Sequence, residues 1–322
     1  RLRCDWSSDV CSSDLSWAMI KRLGRVARWW GVERVQGGKP IGEHELNTEQ
    51  LVNMNATIYA CEAYLKFVSA LADQANAEFR LEAAMLKLFS SHALVDIADE
   101  TLQLRGGRGY ESYASQASRG DTAVAVERLF RSARMMKIGE GGSNVIKLYI
   151  MRCLLNDWLN DAKKIADSSL SLFARILKLI KVIAHYGKAY LFAAKHPKQN
   201  CSPVFYQHLR YVCKTQRSLL RLLMIRIIGQ YLIYYRKMVF NYFQKHPVQA
   251  IPSPQTLLEQ QQVLLGYCAQ IATLLSVMTV TCLRAKQDKS SAAIELADEF
   301  CIRSREQIAI YFIKIKNHHR VR

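Results

Sequence analysis

The side chains best suited to chemistry sit in two glycine-rich segments about thirty residues apart. Glu140 stands in Lys137-Ile-Gly-Glu-Gly-Gly-Ser-Asn144, between glycines that let a ligand come close to the backbone. A carboxylate there works as a general base if burial beside an apolar substrate raises its pKa. The helix that opens at Ser143 and Asn144 pulls the other way, because a helix N-terminus favours the anion. Taken by itself, Glu140 also reads as a first-turn acid that stabilises that helix. The second segment, Gln103-Leu-Arg-Gly-Gly-Arg-Gly-Tyr110, closes a long helical stretch. Its glycines expose N–H groups suited to phosphate, and Arg105 or Arg108 adds charge. By itself, Gly106-Gly107 equally reads as a helix C-cap.

The joint spacing is more specific than either piece. Gln103 to Tyr110 resembles the Q-x-x-G-G-x-G-Y turn of acyl-CoA dehydrogenases, and Val126-Glu-Arg-Leu-Phe-Arg131 with Arg134 resembles that family's V-E-R-x-x-R-D-x-R block. Glu140 then falls where the family's E-G-T segment carries its catalytic carboxylate, and Arg34 matches the arginine of its R-x-x-F-G-K segment. The resemblance implies α,β-dehydrogenation of a fatty acyl-CoA, with Glu140 as the base and FAD as the hydride acceptor. It implies cofactor contacts at Arg34, Gln103, Gly106, Gly107, Gly142 and Asn144, the Gln103 turn meeting the flavin of a neighbouring subunit. No metal is implied. The sequence departs from the pattern at Gly37, where an aromatic is expected, at Glu45, Ser132 and Gly139, and at Gly142, which replaces a threonine hydroxyl.

The match is firm over residues 30 to 155 and looser beyond. Leu296-Ala-Asp-Glu-Phe-Cys-Ile-Arg-Ser-Arg305 is similar to the very-long-chain branch and its respiratory-complex assembly-factor relative. That branch implies a long-chain substrate, a homodimer, electron-transfer flavoprotein as a partner, and attachment to the mitochondrial inner membrane, or to the cytoplasmic side of a bacterial inner membrane. The resemblance starts in the middle of a domain, so the chain is expected to be a C-terminal portion, inactive alone. Asp5-Trp-Ser-Ser-Asp-Val-Cys-Ser-Ser-Asp-Leu15 resembles a translated sequencing adapter, which sets residues 1–15 apart. The eroded positions at Gly37, Ser132 and Gly142 support a different class of function, a non-catalytic assembly scaffold that keeps the fold.

The elements that must carry these residues are helical. With 50% apolar residues, six prolines and fifteen glycines, the chain supports sizeable cores and few breaks. Apolar spacing predicts helices over 17–35, 48–79, 81–104, 121–138 and 144–159, hence an all-α fold. These form a helical bundle over residues 16–160, followed by an additional basic helical domain over 166–322. Trp29, Trp30, Met135 and Met136 suggest a ligand wall, but residues of these types in helical patterns are more often core, and they are left unassigned. Seven cysteines remain beyond residue 15, without metal-ligand or disulfide spacing.

Charge is uneven. The net charge is +18, and no acidic residue falls between Asp167 and Glu259, where fourteen lysines and arginines lie. Residues 171–245 therefore suit an anionic membrane surface, and equally a solvated bundle face. A nucleic-acid partner is not expected, since no reading motif or aromatic platform accompanies the charge. The apolar run Leu219 to Phe243 contains Arg221, Arg226, Arg236 and Lys237, too many charges for a membrane span.

Overall fold

The computed structural model describes residues 3–74, 76–139, 141–166, 203–243 and 261–317. Among them are ten α-helices: α1 (Arg3–Glu33), α2 (Glu45–Ala72), α3 (Arg80–Arg105), α4 (Gly107–Tyr110), α5 (Tyr113–Ser118), α6 (Val126–Met136), α7 (Ser143–Ala166), α8 (Pro203–Phe243), α9 (Gln262–Asp288) and α10 (Ser291–Asn317). A two-residue hairpin, β1 (Val35–Gln36) and β2 (Lys39–Pro40), follows α1 with Val35 opposite Pro40. The fold is all-α, as the apolar spacing requires. Boundaries differ where local chemistry intervenes. The second helix stops at Ala72 rather than 79, α6 starts at Val126 rather than 121, and α7 runs on to Ala166. Helix α1 continues through residues 3–15 without a break.

By backbone contacts the chain divides into two units, Arg1–Ile150 with Thr273–Ile310, and Met151–Ala272 with Tyr311–Arg322. In the first unit, α1 presents Ile20, Leu23, Ala27 and Trp30 at helical spacing to Met54 and Cys61 of α2 and to Leu94, Ile97, Ala98 and Leu104 of α3. Val126 and Ala133 of α6 close the same core. Burying each large aliphatic side chain contributes roughly 1.5–3 kcal/mol relative to exposure. Helices α1 and α2 approach tightly at Gly24, where a Cβ would lie 2.3 Å from Ile58 Cδ1.

The contact division departs from the sequence division at residue 166, because Thr273–Ile310 joins the first unit. The reason is visible in side-chain contacts between helices distant in sequence. Tyr64 Oη lies 2.9 Å from Ser276 Oγ, and Tyr59 donates to Asp288 at 2.7 Å. Arg303 donates to the Asn53 carbonyl at 3.2 Å. Phe89 meets Phe300 edge-on at 5.7 Å between ring centroids.

In the second unit, α8 begins with Pro203, which suits a first helical turn. It buries Phe205, His208, Val212, Thr215, Leu219 and Leu223 along one stripe, with Arg210, Lys214 and Arg221 exposed. Residues 171–202, part of the basic segment singled out above, lie outside the described residues. One helix among the described residues, α9, is long and apolar enough to cross a membrane. It is not the run Leu219 to Phe243, which lies in α8. Over half of the apolar stretch of α9 is buried inside the protein, as in a core helix.

Candidate functional site

Helix α3 ends in a turn that only glycine adopts easily. Gly106 has φ +59, the left-handed region, and its N–H reaches back to the Gln103 carbonyl at 3.0 Å. The chain then folds against its own helix, and a Cβ on Gly109 would sit 2.5 Å from the Leu102 carbonyl oxygen. The first and third glycines of the segment therefore answer to geometry. Gly107 does not: nothing lies within 4 Å of where its Cβ would be, and the same holds at Gly106. Both are exposed, so the space over them is open to a ligand, although the Gly106 N–H and both carbonyls are already bonded within the turn.

What holds this turn was not legible as a motif. Gln116, fully buried, hydrogen-bonds with five groups. Its amide nitrogen donates to the carbonyls of Arg108 at 3.0 Å, Glu111 at 2.9 Å and Val124 at 3.2 Å. Its carbonyl oxygen accepts from Val124 N–H and from Arg105 Nη2, each at 3.0 Å. Arg105 is 4% exposed, with its guanidinium 4.7 Å over the Trp30 ring and 5.6 Å from Trp29. Burial, and then the neighbouring Arg108, lower its pKa. Arg105 is thus committed to the interior by cation–π contact. The expectation that it adds charge for a phosphate is corrected, since its burial takes it from the turn's surface. Arg108 is half-exposed and pairs with Asp121 at 3.2 Å.

Arg34 follows α1 directly: its N–H donates to the Trp30 carbonyl at 3.0 Å and its carbonyl accepts from Ile41 at 2.7 Å. Because Arg105 and Arg108 also lie over Trp30, the half-buried Arg34 and the exposed Gln103 share one end of the bundle. In the adjoining hairpin Gly37 has φ +60, and the ring beside it is the imidazole of His44, bonded to the Gln36 carbonyl at 3.0 Å. Of the residues left unassigned above, Trp30 is core, 6% exposed. Met135 is not: it is 67% exposed, because α6 turns that side outward.

The second segment lies elsewhere. Glu140 itself falls outside the described residues. Gly142 is half-buried and Asn144 exposed at the opening of α7, which has no acidic residue in its first turn. Ser143 binds His92 of α3 at 3.1 Å. His92 precedes Arg105 by thirteen residues, about 20 Å along a helix. A single chain therefore keeps the Gln103 turn and the residues flanking Glu140 apart. The surroundings of His92 are cationic: burial first, then Lys137, Lys147 and Arg134, lower its pKa from 6.5 to about 4. Burial and Lys137 likewise lower that of Lys147. Open backbone, a helix N-terminus and these cations suit an anionic group.

Among known proteins, residues 15–155 match the family described as "Acyl-CoA dehydrogenase, C-terminal domain". A probable acyl-CoA dehydrogenase of Mycobacterium tuberculosis, FadE10, is 32% identical over 300 residues, covering 88% of this chain and 42% of that protein. The similarity thus extends well past residue 155. The human very long-chain specific acyl-CoA dehydrogenase is 32% identical over 117 residues, 36% of this chain and 16% of its own length. Among solved structures, an FAD-complexed acyl-CoA dehydrogenase from Bacillus anthracis superposes with a TM-score of 0.64 at 17% identity, over 94% of this chain and 47% of that one. The Caenorhabditis elegans ACDH-11 complex with C11-CoA gives 0.57 at 16% identity, over 92% of this chain and 42% of that one. The two structures share the fold. The chain spans 42% of the length of the mycobacterial relative.

Proposed function

We propose, from a chain that belongs to the acyl-CoA dehydrogenase family and carries its C-terminal domain in residues 15–155, that it is the C-terminal portion of a flavin-dependent dehydrogenase of long-chain acyl-CoA. The observation that carries this reading is the Gln103 turn, where no atom overlies Gly106 or Gly107 while Gln116 and Arg105 brace it from within. FAD, when bound, supplies the acceptor for the β-hydride. Glu140 takes the α-proton of the thioester, and Gly141 and Gly142 leave room for the substrate to approach. Gln103, Gly106 and Gly107 are assigned to the cofactor's phosphates, with Arg34 at the same end of the bundle and Gly142 and Asn144 at the start of α7.

The separation of about 20 Å between the two segments supports a homodimer, in which the turn of one copy serves the cofactor beside Glu140 of the other. An apolar acyl chain beside the carboxylate would supply the desolvation that makes Glu140 basic near neutral pH. Electron-transfer flavoprotein is the proposed acceptor. The exposed cations of α8 support docking of residues 171–245 on an anionic membrane, the mitochondrial inner membrane or the cytoplasmic side of a bacterial one. In the complete protein, Glu140→Gln should abolish dehydrogenation while flavin stays bound; retained turnover refutes the assignment.

A second reading is favoured by Gly142, which offers no hydroxyl to a cofactor, and by Gly37, which has His44 beside it rather than a ring of its own. These support a scaffold that has lost its flavin. Flavin content of the purified complete protein separates the two: a near-stoichiometric yellow cofactor excludes the scaffold.

A further inference from the structure

Helix α3 reaches the loop before α7 through His92. Its Nε2 lies 3.1 Å from Ser143 Oγ, and that hydroxyl lies 3.4 Å from the Lys137 carbonyl. The carbonyl can only accept, so the arrangement that satisfies both contacts has the serine hydrogen pointing to Lys137 and a proton on His92 Nε2 donating to Ser143, and this is the tautomer we assign. The serine bond to Lys137 is long, which makes His92 the stronger tie. Lys137 and Ser143 are the two ends of the segment that brackets Glu140 in sequence.

From this geometry we infer that His92 is a positioning residue for the segment that carries the proposed base: its bond to Ser143 ties the start of α7, three residues after Glu140 in sequence, to α3. The inference rests on the reading of Glu140 as the proton acceptor. The choice of a histidine has a physical reason. Arg134 of α6, Lys137 of the loop and Lys147 of α7 already face this point. A lysine or arginine donor would add a fourth cation to this cluster and be repelled by the three already there. A neutral imidazole donates without that cost, and its half-buried ring stays neutral across the physiological range.

The test uses the complete protein with four variants: His92→Ala, His92→Gln, Ser143→Ala and the His92→Ala/Ser143→Ala pair. Glutamine places an N–H near the position of Nε2, so it should restore the tie. Expected are a fall in kcat of about 10- to 100-fold for each alanine variant with KM moved less than about 2-fold. The double variant should be no worse than the singles, and His92→Gln should return to within about 3-fold of wild type. Without substrate, amide hydrogens of peptides over residues 137–147 should exchange about 10-fold faster in His92→Ala and normally in His92→Gln. Exchange unchanged in both alanine variants overturns the inference, as do fully additive losses or faster exchange with undiminished kcat. If the wild-type protein has no dehydrogenase activity, the function reading fails and exchange alone decides the clamp. If His92→Ala does not fold, Ser143→Ala and His92→Gln carry the same comparison.

Discussion

Replacing Gln116 by methionine keeps the volume of a fully buried side chain and removes every polar contact it makes. Arg105 Nη2 then loses its acceptor at 3.0 Å, and a hydrogen bond to a charged group contributes about 1.5–3 kcal/mol. Val124 N–H loses another acceptor at 3.0 Å, and the carbonyls of Arg108, Glu111 and Val124 lose the two amide hydrogens they share. Each neutral bond contributes about 1 kcal/mol. Some carbonyls lie near the surface and regain water, so the expected loss is about 3 to 4 kcal/mol rather than the full sum. At a urea m-value of about 3 kcal/mol/M the unfolding midpoint should fall by about 1 M. Gln103→Ala, at an exposed position on the same turn, should stay within about 0.5 kcal/mol. A loss below about 1 kcal/mol for Gln116→Met, measured by urea unfolding with circular dichroism, would refute the claim that this side chain braces the glycine turn.

Other perturbations separate the remaining roles. Gly109→Ala forces a Cβ to within 2.5 Å of the Leu102 carbonyl oxygen and should cost about 2–3 kcal/mol, whereas Gly107→Ala should stay within about 0.5 kcal/mol; thermal melts compare them. His92 binds protons less readily folded than unfolded, so stability falls as pH drops below its ordinary 6.5. From that group alone the loss reaches about 3 kcal/mol by pH 4. Urea midpoints at pH 7 and pH 4 should converge in His92→Gln relative to wild type. Cys282 and Cys301 face each other in the core with their sulfurs 3.6 Å apart, and burial raises the pKa of Cys61 and pushes that of Cys268 up to about 12. Alkylation followed by mass spectrometry should label the half-buried Cys153 and Cys213 before these four.

The helices were legible because their apolar positions repeat at helical spacing, as Ile20, Leu23, Ala27 and Trp30 do. The glycine turn was legible as a motif, but its support was not. Gln116 reads in sequence as one polar residue in a loop, and its burial depends on contacts with Arg105 and Val124. The same holds for His92, whose relation to Ser143 spans fifty-one residues. Arg105 reads as surface charge beside glycines, and its burial follows from the indoles of Trp29 and Trp30 beneath it and the Gln116 carbonyl it reaches. The boundary near residue 166 followed the order of helices along the chain, whereas the contacts pair elements distant in sequence, Tyr64 with Ser276 and Phe89 with Phe300.

The central claim is that this chain completes a flavin-dependent acyl-CoA dehydrogenase. It is tested most directly by the visible absorbance of the complete protein before and after palmitoyl-CoA is added. The account predicts a flavin spectrum that bleaches on addition and persists in Glu140→Gln. A colourless protein, or a flavin that substrate leaves oxidised in the wild type, would contradict it.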